Sequence, residues 1–342
     1  MQDAAAKASI DLLSITSSVE GSVWCASEEK AAYEWWYFDA LSAGGKDAVI
    51  IKFADNSIDS PRYGVTTRVP AVSFTYVRGG RTVYSVVNES TASELKCDGK
   101  ALRIAESFFS FESVEYGSGF RIEIKGKTAS GKRVEARFEW LLIESNIFDA
   151  GSVADERHSW NIVSPRADVT GQITVFPRKS NKGETFQFRG SGYHDSNRDA
   201  RSFTETTRRW VRGRVHYADS TAIFCSYSEF SSSVSDTRLV IVRDGRTREK
   251  KVEFDVQEIK RGRFGSSYPA RIRLAAEDNI RLRIKPEKII DSSRFCQRFL
   301  AEMTLTLRDG IPRKSSGLVE FVSPKISRSR LLNWLLGRKT NT

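Results

Sequence analysis

Two short strings in this 342-residue chain set polar groups beside aromatic rings at a spacing of two. In His158-Ser159-Trp160 and Tyr193-His194-Asp195 the first and third residues share one face of an extended strand. Each pair offers a group that can handle a proton next to an aromatic face. That combination suits chemistry begun by protonating an isolated carbon–carbon double bond. Burial raises the pKa of a carboxyl and keeps it protonated near neutral pH. The tertiary carbocation formed is stabilised by aromatic faces through cation–π attraction. Water delivered by a positioned base then gives a tertiary alcohol; with water excluded, an internal nucleophile closes a ring. A structural reading of the same residues stands beside this one. His158 could bridge two strands, and Asp195 could cap a turn made by Ser196-Asn197. His194 points away from Tyr193 and Asp195, and His216 falls in another strand, so neither is given a role. Glu34 and Asp39 read as hydrogen-bonding groups at strand ends.

The run Tyr33-Glu34-Trp35-Trp36-Tyr37-Phe38-Asp39-Ala40 packs five aromatics into six residues. Strand alternation sends Glu34, Trp36 and Phe38 to one face and Trp35, Tyr37 and Asp39 to the other. A strand aromatic on both faces is buried on both, or divides a core from a ligand pocket. Trp35, Trp36 and Tyr37 are the candidate substrate contacts.

The string EWWYFDA is followed by Ser60-Pro61-Arg62-Tyr63, by His158-Ser159-Trp160-Asn161 with Pro165, by Val169-Thr170-Gly171 and by Gly190 to Asn197 (GSGYHDSN). In kind and order these blocks resemble the carotenoid 1,2-hydratase (hydroxyneurosporene synthase) and AttH-like family of lipocalin-related proteins. The resemblance implies two lipocalin-like domains. It also implies catalytic His-x-Trp and Tyr-x-Asp motifs, which fall on His158, Trp160, Tyr193 and Asp195. Asp195 is then the acid, His158 the base that orients water, and Trp160 and Tyr193 the cation stabilisers. Relatives of this kind include hydratases, tocopherol-cyclase-like proteins, pericyclases and members without known activity. The chain departs from the pattern after Asp195, where the family often continues HNWG and this sequence reads Ser-Asn-Arg-Asp. An arginine at 198 would favour the carboxylate form of a nearby acid, or would bind a carbonyl or acidic group of the substrate. Three functions follow: a cofactor-free hydratase or cyclase of a polyene or terpenoid, a pericyclase that needs only a shaped pocket, and a lipid carrier without turnover.

These residues need a β scaffold. Asp47 to Phe53, Ala71 to Val77, Gly119 to Lys125, Arg133 to Leu142 and Gly171 to Phe176 read as strands, and so do six segments between Ala222 and Leu307. Gly44-Gly45, Gly79-Gly80 and Ser130-Gly131 sit where hairpins turn. The expected fold is all-β: two lipocalin-like (calycin) barrel or sandwich domains packed side by side, with a short C-terminal helix. The expected divisions are an extension over 1–20, domains over 21–180 and 181–324 with the boundary at Pro177–Gly183, and a basic amphipathic tail over 325–342.

Composition bounds the partners. The net charge of +11 admits nucleic acid or anionic lipid. Basic residues alternate with acidic ones along the strands, and no nucleic-acid-binding motif occurs, so nucleic acid is not expected. The tail, with five basic residues, no acidic ones and Trp334 among four leucines, fits either a docked helix or a peripheral membrane contact. Cys25, Cys97, Cys225 and Cys296 lack metal or disulfide spacing, and with three scattered histidines no metal or cofactor is implied. No secretory signal is evident, so a cytoplasmic, membrane-peripheral location is expected.

Overall fold

The computed structural model describes residues 11–20, 29–60, 62–63, 68–148, 158–261, 267–292 and 296–324. The first half carries strands β1 (Leu13–Thr16), β2 (Tyr33–Leu41), β3 (Ala48–Ala54), β4 (Ala71–Arg78), β5 (Arg81–Glu89), β6 (Leu95–Cys97), β7 (Ala101–Ile104), β8 (Ser107–Val114), β9 (Gly117–Lys127), β10 (Arg133–Glu144), β11 (His158–Phe176) and β12 (Glu184–Asp199). After the single turn α1 (Phe203–Thr206) come β13 (Thr207–His216), β14 (Ser220–Glu229), β15 (Ser235–Arg243), β16 (Arg246–Lys251), β17 (Glu253–Arg261), β18 (Ser267–Ala275), β19 (Arg281–Ser292), β20 (Cys296–Thr306) and β21 (Pro312–Val322). They form two curled antiparallel half-barrel sheets. The first runs β5-β4-β3-β2-β12-β11-β10-β9-β8-β7-β6, with β1 added in parallel to β11; the second runs β16-β15-β14-β13-β21-β20-β19-β18-β17. The fold is all-β, and no helix of the described residues is long and apolar enough to cross a membrane.

Three apolar cores explain why β2 is buried along all nine residues. Trp36, Phe38, Ile51, Phe109, Phe120 and Trp140 fill the hollow of the first half-barrel. Val211, Phe224, Leu282, Phe299 and Met303 fill that of the second. The third core lies between the sheets, where Trp35, Tyr37, Trp160 and Tyr193 meet Trp210, Cys225, Tyr227 and Val322. The aromatic strand therefore divides one core from another, and alternation decides which ring goes where. The polar sequences of the outer strands β16 and β17 leave charged residues on the sheet's edges, which discourages pairing with another chain.

The expected boundary at Pro177–Gly183 is corrected. That segment is the turn joining β11 to β12, both in the first sheet, and the chain passes to the second sheet at 200–206. A turn rich in basic and small residues looks the same whether it joins paired strands or separate domains. The N-terminal extension is also tied down: besides pairing with β11, the backbone amides of Leu12 and Leu13 donate to Asp236 of the second sheet at 3.0 and 3.2 Å. The expected tail helix lies outside the described residues.

Candidate active site

Strand register assembles the site. β12 lies between β2 and β11, so Asp195 stands opposite Tyr37, Tyr193 opposite Asp39, and Asn197 opposite both Trp35 and Trp160. Cross-strand partners share a face. Two register shifts in β11, around Ser164 and Pro165, bend the strand just beyond Trp160. From the other sheet, alternation along β13 aims Trp210, Arg212 and Arg214 at the same space. β21 places Val322, Glu320 and Leu318 beside them.

Asp195 is the centre of this arrangement and is fully buried. Its Oδ2 accepts from the Tyr193 hydroxyl at 2.7 Å, from Trp160 Nε1 at 3.0 Å and from the Arg212 guanidinium. Its Oδ1 accepts from Asn197 Nδ2 at 3.0 Å. Asn197 Oδ1 in turn lies 3.2 Å from His158 Nε2, and the Tyr33 hydroxyl lies 2.8 Å from His158 Nδ1. Tyr33–His158–Asn197–Asp195 is thus one hydrogen-bonded chain through buried groups. Burial pushes His158 down to about 4, although Asp199 nearby opposes the shift. The ring is neutral at ordinary pH. If Tyr33 donates to Nδ1, Nε2 carries the hydrogen and donates to Asn197.

Charges alternate along the far wall. Arg212 bridges Asp195 to Glu320 (2.9 Å), and Arg298 bridges Glu320 (2.8 Å) to Asp291. Burial works against the Glu320 carboxylate, but Arg298, Arg212 and Lys52 hold it at about 2. Burial pushes the Asp195 carboxyl up, against Arg212 and the donors on its oxygens. Of the two acids that share Arg212, Asp195 is the more deeply buried and has a single arginine, whereas Glu320 is clamped between two, so burial raises the one while the arginines lower the other.

Two small voids open between the sheets. One, of about 10 Å³, is lined by Tyr37, Tyr193, Asp39, Arg212, Arg214 and Glu320 with Gly213, Leu318 and Val319. The other, of about 20 Å³, has aromatic walls of Trp35, Tyr37, Phe203 and Trp210, with Lys52, Asp59 and Glu320 at a polar end. Asp195 lines neither; it reaches the first through Tyr193 and Arg212.

The four motif residues and Trp35 and Tyr37 are brought together here; the other expectations are corrected. Trp36 points into the first half-barrel, 6.0 Å from Phe109. Arg198 lies on the face of β12 opposite to Asp195, so the arginine at the acid is Arg212 of the other sheet. His158 lines neither void and has a partner on each nitrogen, so it has no path to a water there. Asp39, read as a strand-end group, forms a buried ion pair with Arg214 at 2.6 Å. Sequence reasoning missed Arg212, Trp210, Glu320 and Asn197. The alternation Trp210-x-Arg212-x-Arg214 was the available signal, since two arginines beside a tryptophan on one strand face call for buried acids opposite. Among the described residues no three His, Cys, Asp or Glu side chains are grouped to hold a metal ion.

Comparison with known proteins adds the family context. Residues 51–305 match the family model described as carotenoid hydratase CrtC. A protein of Chlorobaculum tepidum named hydroxyneurosporene dehydrogenase is 22% identical over 349 residues, covering 94% of this chain and 90% of its own. Among solved structures, an AttH-type protein of Nitrosomonas europaea superposes with a TM-score of 0.59 at 17% identity, over 87% of this chain and 94% of that one. Kievitone hydratase of Nectria haematococca superposes with a TM-score of 0.51 at 9% identity, over 93% and 98%. At these identities the solved structures speak for the fold alone.

Proposed function

The chain belongs to the carotenoid hydratase CrtC family, and on that premise we propose that it is a hydro-lyase adding water to an isolated double bond near the end of an acyclic carotenoid or related polyene. The observation that carries the reading is a fully buried carboxyl, raised by that burial and wrapped by aromatic rings. When Asp195 is protonated its bond to Tyr193 reverses, and the phenol hydrogen is free to point into the void. The proton passes to the less substituted alkene carbon through Tyr193, which gives up its phenol hydrogen and takes the one from Asp195. The cation on the tertiary carbon faces Trp35, Tyr37 and Trp210, whose ring faces attract it. Water forms the new carbon–oxygen bond, and the proton that it sheds returns to the Asp195 carboxylate. Each turnover thus restores the acid. Arg212 stays charged throughout, so it stabilises the ionised Asp195 at the moment the cation exists. Tyr33, His158 and Asn197 hold Asp195 in place.

At about 20 Å³ the aromatic void is too small for a branched polyene end, so binding must part the rings that line it. The family name and the relative named for hydroxyneurosporene both support a polyene as substrate. The test is mass spectrometry of extracts from cells that accumulate lycopene or neurosporene and produce this protein. A product heavier by one water, absent with Asp195→Asn, is the expected result. A product of unchanged mass but altered retention would replace hydration by cyclisation. An unaltered polyene recovered bound to the protein would replace catalysis by carriage.

A further inference from the structure

The void of about 10 Å³ between the sheets has the dimensions of a single water, for which about 10–15 Å³ on this measure suffices. Polar side chains from both sheets line it, together with Gly213, Leu318 and Val319. Tyr37, Asp39 and Tyr193 come from the first sheet, and Arg212, Arg214 and Glu320 from the second. Asp39 and Arg214 satisfy each other at 2.6 Å, and Arg212 is shared between Asp195 and Glu320. The Tyr37 phenol differs. It is 3% exposed, it lines both voids, and no hydrogen bond of the described residues engages its hydroxyl. Buried hydroxyls are almost always paired, and a single water in this void, among the polar groups of both sheets, supplies the partner. Tyr37 also stands directly opposite Asp195 in the β2–β12 register, so its ring borders the space in which the acid acts.

We propose that this void is the binding site of the nucleophilic water and that the Tyr37 hydroxyl is a catalytic group that holds it. The inference rests on the hydration reading above and assigns the half of the reaction which that reading leaves without a residue. Water seated here can donate one hydrogen to the Tyr193 oxygen and the other to the carboxylate of Asp39 or Glu320, and it accepts from the Tyr37 hydroxyl. One lone pair is left to face the aromatic void, where the cation forms. As the carbon–oxygen bond closes, the oxonium proton passes to the Tyr193 oxygen and the Tyr193 proton to Asp195 Oδ2, 2.7 Å away. Protons balance: one leaves Asp195 for the alkene, and one comes back from the water.

The assignment separates two steps that Asp195→Asn would remove together. In deuterium oxide the acid exchanges with solvent and delivers deuterium to the alkene. If no water is placed, the cation returns a proton to the Asp195 carboxylate from any neighbouring C–H bond. Deuterium then stays in the recovered polyene. Purified wild type, Tyr37→Phe and Leu318→Phe are incubated with lycopene in detergent micelles in deuterium oxide. Leu318→Phe fills the same void from β21 and keeps the phenol. Alcohol and deuterated lycopene are both measured by mass spectrometry, and thermal unfolding checks each fold. In at least one folded variant, alcohol should fall roughly tenfold or more while deuterium uptake persists. Unchanged alcohol in both variants would overturn the water site. Parallel loss of alcohol and deuterium in both would overturn it too, because these residues would then serve the proton step or the fold. If wild type gives neither alcohol nor deuterated lycopene, hydration of this polyene class fails first, and the water site falls with it.

Discussion

The upward shift of Asp195 is burial set against its neighbours. Arg212 opposes it, but Arg212 is shared with Glu320, and Glu320 is also paired with Arg298. Asp195→Asn keeps the shape and most acceptor contacts and removes the proton. Turnover should fall by about 10²–10⁴-fold, the usual contribution of a general acid, with an unchanged circular dichroism spectrum. A folded variant of wild-type activity would remove Asp195 from the mechanism. The histidines carry a second prediction. Burial pushes His158 down to about 4 and His194, stacked on Phe38 at 3.8 Å, down to about 3. The unfolded chain takes up protons on these rings below about 6.5, whereas the folded protein refuses them. Their contribution is therefore fully present above pH 6.5 and is lost progressively as the pH falls toward 4 and 3. By pH 5 the loss is roughly 2 kcal/mol for each ring. Urea unfolding at pH 7, 6 and 5 should show the decline, and a flat profile would contradict burial of neutral rings. At this scale the sequence exposed Asp195, Tyr193, Trp160 and His158, because their alternation is local. Arg212 and Glu320 were hidden, because nothing local announces a contact between strands of different sheets.

Strands, rather than loops, carry these side chains. The alternation of β3, β4, β9 and β10 made their existence legible, and Gly45, Gly79, Gly80 and Gly131 take the positive φ that their turns require. The end of β12 was not legible. Ser196-Asn197-Arg198-Asp199 has the composition of a turn, yet it stays extended because β2 and β11 both pair with it. That tertiary pairing turns Asn197 from a turn residue into the link between His158 and Asp195. The β2–β13 contact is fastened by Asp39 and Arg214, 2% and 4% exposed at their side chains in the order Arg214, Asp39. Arg214→Met alone leaves a buried carboxylate without its cation and should cost about 3–5 kcal/mol. Adding Asp39→Leu removes that carboxylate and should restore most of the loss. Urea unfolding of both singles and the double closes the cycle; additive losses would mean that the pair is not coupled.

The molecule as a whole is two half-barrels that cannot be separated without exposing the site. The core between them buries Trp35, Trp160 and Tyr193 against Trp210 and Tyr227, and the strand at Leu13–Thr16 is bonded to both sheets. Unfolding followed by tryptophan fluorescence and by far-ultraviolet circular dichroism should therefore coincide in one transition. Two separated transitions would show half-barrels that stand alone. The side-by-side arrangement was legible only through family resemblance, since periodicity finds strands but not which faces meet. That is also why Trp36 and Trp35 looked equivalent, although one fills a barrel and the other walls the site. The central claim is that this interface hydrates a polyene with the proton of Asp195. Its most direct test is turnover of lycopene by purified protein in water enriched in oxygen-18, with wild type and Asp195→Asn compared. The account predicts an oxygen-18-labelled tertiary alcohol from wild type and none from the folded variant. An equal yield of labelled alcohol from the variant would contradict it.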